Sequence, residues 1–354
     1  MNNQLNLVPP SSETTFPPFV EQQIDLNSTF QKEKLQSKLT TLSGKRVFFR
    51  SDFSKESIPL QDLGGLSSSA GIPYPIKEIK CSSRERLVVG IDSSCALIGE
   101  TEDGSIYAGR VAVVYASRSK IIKYCRAGPI IFYLEPSTLQ AELGPHISPK
   151  IVRMVLYDKT IAERLIRTQL ERMAQIEVCK TCSDIVMIVD GSLRSSILEP
   201  RSLTLKDLER SCEENFNQLL GISKATSLKF ISKTASALQS VPRAQVYIEI
   251  TDSIRALIPG VESRVLLSKF SSNSQVFRID YSYKNVEDEA QVLSDLKYND
   301  LLFRGYPETL RLAHHLSVFD NSTISSVRSY LSSRCGIVQV PSDDLRATIL
   351  GKLV

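Results

Sequence analysis

Two acids stand where a β-strand gains nothing from them. Asp190 closes the apolar run of "SDIVMIVDGSL" (183–193), and Asp92 interrupts "VVGIDSS". Asp is depleted in strands, and a buried carboxylate is costly unless it is paired, hydrogen-bonded or bound to a metal. If the two acids converge, each raises the other's pKa unless a divalent cation sits between them. Such an oxygen-rich pair suits Mg²⁺ or Mn²⁺, and two such ions can activate water and steady the leaving oxygen of a phosphodiester. A plainer account stands beside this one: "DGS" is a common turn opening, in which Asp caps its own backbone. For Asp92 taken singly, the residue type does not choose.

Whether the acids meet depends on the elements that carry them. Strands are expected at 85–99 and 106–117, joined by a turn through Asp103-Gly104, with a third in the run from "IIKYC" to "PIIFYLE". A long helical stretch follows at 148–178, then the strand 184–190, a helix at 203–221 and a strand at 228–232. Further strands are expected at 245–250 and 275–283, and helices at 307–319 and 322–333 close the pattern. Three hairpin-linked strands followed by alternating helices and strands describe an α/β fold with a mixed sheet flanked by helices. That order is ribonuclease-H-like, with additional strands and helices inserted before the C-terminal helices. In such a sheet the first and fourth strands are neighbours, so Asp92 and Asp190 come together.

Composition excludes more than it identifies. The chain has 354 residues, 42% hydrophobic and 23% charged, with a formal net charge of +4, which permits a nucleic-acid partner without demonstrating one. No apolar run approaches the roughly 18 residues of a spanning helix, so no membrane association is expected. The start "MNNQLNLVPPSSETTF" has neither a basic nor an apolar signal segment. Seven cysteines, an odd number, at scattered positions indicate reduced thiols and a cytoplasmic protein. Residues 1–17 are Pro/Ser/Thr-rich and expected to be disordered, 18–80 form a helical and extended arm with a helix at 19–42, and 81–354 form the main domain. A loop is expected at 63–75 and a short strand at 45–53.

Two other constellations invite chemistry. "CKTC" (179–182) is a single C-x-x-C with no second pair at zinc spacing, and it precedes a strand, so two buried or free thiols are expected. Arg110, Arg118, Lys120, Lys123 and Arg126, interleaved with Tyr107, Tyr115 and Tyr124, would track a DNA backbone while the rings stack bases. The same alternation fits an ordinary solvated sheet edge.

Five fragments in order make a more specific pattern. "GIDSS", "LERMAQ", "IVMIVDGSL", "FISKTAS" and "GYPETLRLAHHLS" carry Asp92, Glu171, Asp190, Lys233, and Tyr306 with His314. The set resembles the NurA family of archaeal and bacterial DNA-end-processing nucleases over residues 86–335, and Tyr306-Pro307, Leu310 and Ala313-His314 match its closing signature. By that resemblance Asp92, Glu171, Asp190 and His314 form the metal and catalytic site, Tyr306 assists, and Lys233 contacts phosphate or the transition state. It also implies 5′→3′ exonuclease activity on single- and double-stranded DNA and endonuclease action on single strands. Mn²⁺ is the implied metal, with Mg²⁺ as the other candidate. A homodimer and a HerA-type hexameric ATPase that translocates DNA during end resection and homologous recombination are the implied partners.

Competing readings remain at several of these positions. Glu163, Arg167 and Glu171 at i+4 spacing fit a solvated helix-surface network. Lys224 in "GISKATS" looks like Lys233 in "FISKTAS", and either fits a solvent-facing lysine after a strand. His314 and His315 point about 100° apart on a helix, so at most one faces a site; His314 matches the family position. Two other functions compete with the nuclease. A catalytically inactive DNA-end or translocase-binding subunit would be marked by a lost acid, and all the expected acids are present. A phosphotransferase using "GIDSS" and "VDGS" as phosphate loops would want Gly-rich hairpins, which the 16 glycines do not supply.

Overall fold

The computed structural model describes residues 42–49, 72–81, 83–143, 148–196, 199, 203–224, 229–258 and 260–340. The expected disorder over 1–17, all but the last residue of the helix over 19–42 and most of the loop over 63–75 lie outside the described residues.

Two short strands of the arm, β1 (Arg46–Phe48) and β2 (Lys77–Glu78), join the main sheet. Its centre is the antiparallel meander β3 (Val88–Glu100), β4 (Ser105–Ser117) and β5 (Lys120–Leu134). β6 (Val186–Asp190) then pairs parallel to β3, and β7 (Gln218–Ser223) parallel to β6. The order β5-β4-β3-β6-β7 is the ribonuclease-H-like core expected from the sequence. β6 is short and wholly apolar until its last residue because both of its faces are covered, as in parallel strands generally.

Helices α1 (Pro136–Leu143), α2 (Pro149–Tyr157) and α3 (Lys159–Thr181) lead from β5 to β6. The single helix expected over 148–178 is thus two. Asp158 takes extended geometry (φ −102°, ψ 105°), ends α2, and caps α3 by accepting from the Thr160 and Ile161 amides at 2.9 and 3.4 Å. Two further expectations are corrected. The helix over 203–221 stops early: α4 (Leu205–Glu214) opens with a Thr204–Asp207 capping box and ends at Asn215, and Phe216 at φ 56° turns the chain into β7. Leu219, Leu220 and Ile222 are fully buried there, a run that an exposed helix turn would leave wet. The strand over 228–232 is instead the start of α5 (Lys229–Gln239), in which Ile231, Ala235 and Leu238 pack one face into the core at i, i+4, i+7 spacing.

Beyond β7 the sheet continues through β10 (Val276–Ser282), β9 (Ser263–Lys269) and β8 (Val246–Glu249) to β2. β9 and the helices α6 (Thr251–Leu257) and α7 (Glu289–Asn299) belong to the additional elements expected before the C-terminal helices, at positions the sequence reading does not assign. A two-stranded hairpin, β11 (Leu302–Phe303) and β12 (Tyr306–Pro307), precedes α8 (Glu308–Ser317), α9 (Asn321–Arg334) and β13 (Val338–Val340), which pairs with β1.

The core fills both sides of the central strands. Leu165, Ile166 and Leu170 of α3 pack with Val89 and Ile91, whereas Leu310 of α8 and Leu293 of α7 pack with Val88, Val186 and Ile188. α8 lies so close that a Cβ on Gly90 would stand 2.7 Å from the Thr309 carbonyl carbon. Only glycine admits that approach. Among the described residues no helix is long and apolar enough to cross a membrane.

Candidate active site

The sheet itself opens a gap. β6 pairs with β3 only as far as Val189 opposite Ile91, and β1 meets the same edge of β3 only at Glu100. One further step of the parallel register brings Asp190 level with Asp92, at the point where the ladder ends. Both strands are buried up to that mouth, so their last polar groups converge there by construction.

Alternation along β3 sends Asp92 toward α8 and Ser93 toward α3. Asp92 is 1% exposed, its Oδ1 accepts the Ser93 amide at 2.9 Å, and its Oδ2 stands 2.7 Å from His314 Nδ1. With Asp92 ionised, Nδ1–H donates and Nε2 is left for another partner. His315, on the same turn, is exposed and makes no such contact. On the α3 side the Ser93 hydroxyl donates to Glu171 Oε1 at 2.6 Å. Burial, opposed by Arg167 and reinforced by the charges of Asp92 and Asp190, pushes the Glu171 carboxyl up to about 7.

Asp190 is held from two sides. Lys224 Nζ, just past the end of β7, donates to Oδ2 at 2.8 Å, and the Tyr306 hydroxyl donates to Oδ1 at 3.4 Å. Burial and the charges of Asp190 and Asp92 raise the Tyr306 hydroxyl well above its ordinary range, so it stays protonated and keeps a proton to donate to the carboxylate. The ring is fixed against Phe277 at 5.6 Å between centroids, with Lys224 Nζ 4.9 Å from its centre. The turn after Asp190 is braced from below: buried Asp280, paired with Arg278, accepts the Leu193 amide at 3.1 Å. A cleft of about 170 Å³ opens beside Glu171 and Asp190, lined also by Thr168, Ser192 and Arg194.

Five of the six expected residues therefore meet in one place: Asp92, Glu171, Asp190, Tyr306 and His314. Lys233 does not join them. It lies exposed on α5, because the segment assumed to be a strand is helical. Its look-alike Lys224 holds the position after a strand and contacts Asp190. Arg167 was a second omission. Its Nη2 lies 3.6 Å from Asp92 Oδ1 and 3.7 Å from Glu171 Oε1, while Nε donates to the Ser93 carbonyl at 3.1 Å. The i+4 pairing with Glu171 was legible; the reach across to Asp92 was not.

The stacking surface expected around the meander is also corrected. Tyr107 and Tyr115 are core residues, and Arg110 is buried with its guanidinium over the Phe319 ring at 4.4 Å. Tyr124 alone among those rings is exposed. Cys179 and Cys182 are buried free thiols, with Cys179 Sγ 3.3 Å from Cys212 Sγ.

Three carboxylates and one imidazole form a donor set of hard oxygens with a single nitrogen, which suits Mn²⁺ and, through its carboxylates, Mg²⁺. As placed, no three His, Cys, Asp or Glu side chains among the described residues converge closely enough to hold an ion. Two cations instead balance the three carboxylates, Arg167 shared between Asp92 and Glu171 and Lys224 on Asp190.

Residues 86–319 match the model of the NurA domain. Among solved structures, the NurA nuclease from Sulfolobus solfataricus is 15% identical, with 74% of this chain and 86% of that chain covered and a TM-score of 0.43. A second NurA structure is 10% identical over 73% of this chain and 92% of that chain, with a TM-score of 0.38. Endonuclease V of Ciona intestinalis, in complex with a DNA containing inosine, is 12% identical over 70% and 89% of the two chains, with a TM-score of 0.36. No curated protein matches the chain. The domain match, which spans well over half of the sequence and contains Asp92, Glu171, Asp190, Tyr306 and His314, decides the matter: the chain belongs to the NurA family of nucleases.

Proposed function

We propose that the protein is a metal-dependent deoxyribonuclease whose centre is the cluster at the end of β6. The observation that carries this reading is that Asp92, Glu171, Asp190 and His314 all line one mouth of the sheet, where Arg167 and Lys224 balance the carboxylates. These four side chains would hold the divalent cation, Mn²⁺ or Mg²⁺, which when bound supplies an activated water and neutralises charge on the phosphate.

The chain's own groups carry the remaining work. Lys224 is the point-charge partner for a phosphate oxygen, since its ammonium is half-exposed and already stands at the carboxylate edge. Tyr306 fixes the Asp190 carboxylate by hydrogen bond and remains protonated while doing so. His314, oriented by Asp92 through Nδ1, has Nε2 available to take or give a proton. Glu171, its carboxyl pushed up to about 7 by burial, would serve the cation as a carboxylate, the form that Arg167 beside it favours. Positioning and charge neutralisation, rather than a covalent intermediate, supply the rate.

The finer reading extends the family resemblance. The substrate is DNA, digested 5′→3′ as an exonuclease on single and double strands and cut internally in single strands. The preferred metal is Mn²⁺, and the working unit is a homodimer in the cytoplasm that receives DNA from a HerA-type hexameric ATPase during end resection. Incubating the full-length protein with 5′- and 3′-labelled DNA, in Mn²⁺ and in EDTA, tests the core of this account. Digestion confined to the metal-containing reactions, with mononucleotides released first from the 5′ label, is expected. Binding without any digestion, even with the ATPase added, would make the protein an inactive DNA-end or translocase-binding subunit.

A further inference from the structure

At the rim of the site stands an aromatic ring that the reaction described above does not use. Phe303 is 56% exposed, on the hairpin that also carries Tyr306. The two residues are directly opposed across the antiparallel pair, which sets their Cα atoms about 5 Å apart. The connecting residues Arg304 and Gly305 both take positive φ, 52° and 89°, the two-residue turn that matches strand twist. The tip is pinned: the Gln275 amide donates to the Arg304 carbonyl at 3.1 Å, and a Cβ on Gly305 would stand 2.6 Å from Ser274 Cβ.

A second path leads from the catalytic cluster to the same ring. Arg311 precedes His314 by about one turn of α8 and is clamped by Glu308 at 2.7 and 2.5 Å. Its guanidinium lies 5.3 Å from the Phe303 ring centre, and that of Arg304 lies 5.7 Å away. A solvent-facing ring on a rigid support, flanked by two cations and joined to Asp190 through Tyr306 and to Asp92 through Arg311 and His314 of α8, combines stacking surface with phosphate attraction.

We propose that Phe303 is the stacking platform for an unpaired base of single-stranded DNA beside the scissile phosphate, with Arg304 and Arg311 engaging the adjoining backbone. The proposal rests on the nuclease reading and adds to it a source of strand selectivity. Bases within a duplex are already stacked on one another and present no free face to the ring. Stacking is indifferent to base identity, so the platform grips any sequence.

The test is binding of a short fluorescent single strand, its duplex and the same strand with one abasic position, in EDTA, by full-length wild type, Phe303→Ala and Phe303→Trp. Phe303→Ala is expected to weaken single-strand binding about tenfold, to leave duplex binding within about twofold, and to become insensitive to the abasic position that weakens the wild type. Phe303→Trp is expected to bind as the wild type does. Unchanged single-strand affinity in Phe303→Ala, or an equal loss on duplex, overturns the platform. So does a change of sedimentation coefficient without a change in DNA binding, which would assign the ring to a protein contact. Digestion by the wild type in Mn²⁺ is scored separately: its absence sinks the nuclease reading, whereas digestion with unaltered binding in Phe303→Ala sinks the platform alone.

Discussion

Lys224 and Lys233 lie in near-identical fragments, yet only the first reaches a carboxylate. The difference is where each fragment falls: "GIS" ends β7 at the mouth of the sheet, while "FIS" lies inside α5. Short apolar runs fit both a buried strand and a helix face, so periodicity alone could not separate them. Asp92 and Asp190 were legible because a carboxylate in or ending an apolar strand needs an explanation that a lysine after one does not. Arg167 was legible as an ion-pair partner of Glu171 but not as the cation beside Asp92, since that contact crosses from helix to strand. Lys224→Ala is therefore expected to lower the cleavage rate by about 100-fold, of the order seen when one charge-stabilising donor is removed from a catalytic site. Lys233→Ala should stay within about twofold of wild type. Single-turnover rates on labelled DNA check both, and equal loss in the two variants would contradict the placement.

At the scale of elements, the site depends on how closely α8 lies against β3. Gly90 permits that contact, and His314 reaches Asp92 because of it. Gly90→Ala puts a methyl against the Thr309 backbone, which cannot swing aside as a side-chain end would. The expected cost is about 1–3 kcal/mol in urea unfolding, together with a fall in cleavage rate larger than that of an equally destabilising change far from α8. Unchanged stability would show that α8 stands farther from the strand than described. The central strand order and the two C-terminal helices were readable from alternation and helical spacing. β9, α6 and α7 were not, and the split of 148–178 at Asp158 depended on a cap that replaces rather than interrupts the helical pattern.

For the molecule as a whole, pH acts through acids that folding buries. Asp300 is 1% exposed between α7 and α8, and burial pushes its carboxyl up to about 7 although Thr309 donates to it from both amide and hydroxyl. The folded state then holds this proton more tightly than the unfolded chain. Its contribution to stability is fully present below about pH 4 and is lost as pH rises through about 7. Asp300→Asn, neutral throughout, should flatten that part of the profile, gaining on the order of 3 kcal/mol relative to wild type between the two limits. Glu171 contributes with the same sign, so the slope is reduced rather than abolished. Thermal melts from pH 4 to 8 check the difference, and parallel profiles for the two proteins would contradict it.

Domain organisation is drawn together by the sheet, since the described parts of the arm supply β2 to one edge and β1 next to the other, between β3 and β13 from the far end of the chain. All of this scaffolding ends at one pair of acids, and the most direct measurement is on them. Asp92→Asn and Asp190→Asn, matched to wild type by circular dichroism, would be compared for Mn²⁺ binding by calorimetry and for cleavage of end-labelled single-stranded DNA. The account predicts that each variant loses both metal binding and cleavage. Cleavage that persists in either variant, or metal binding unaffected by both, would contradict it.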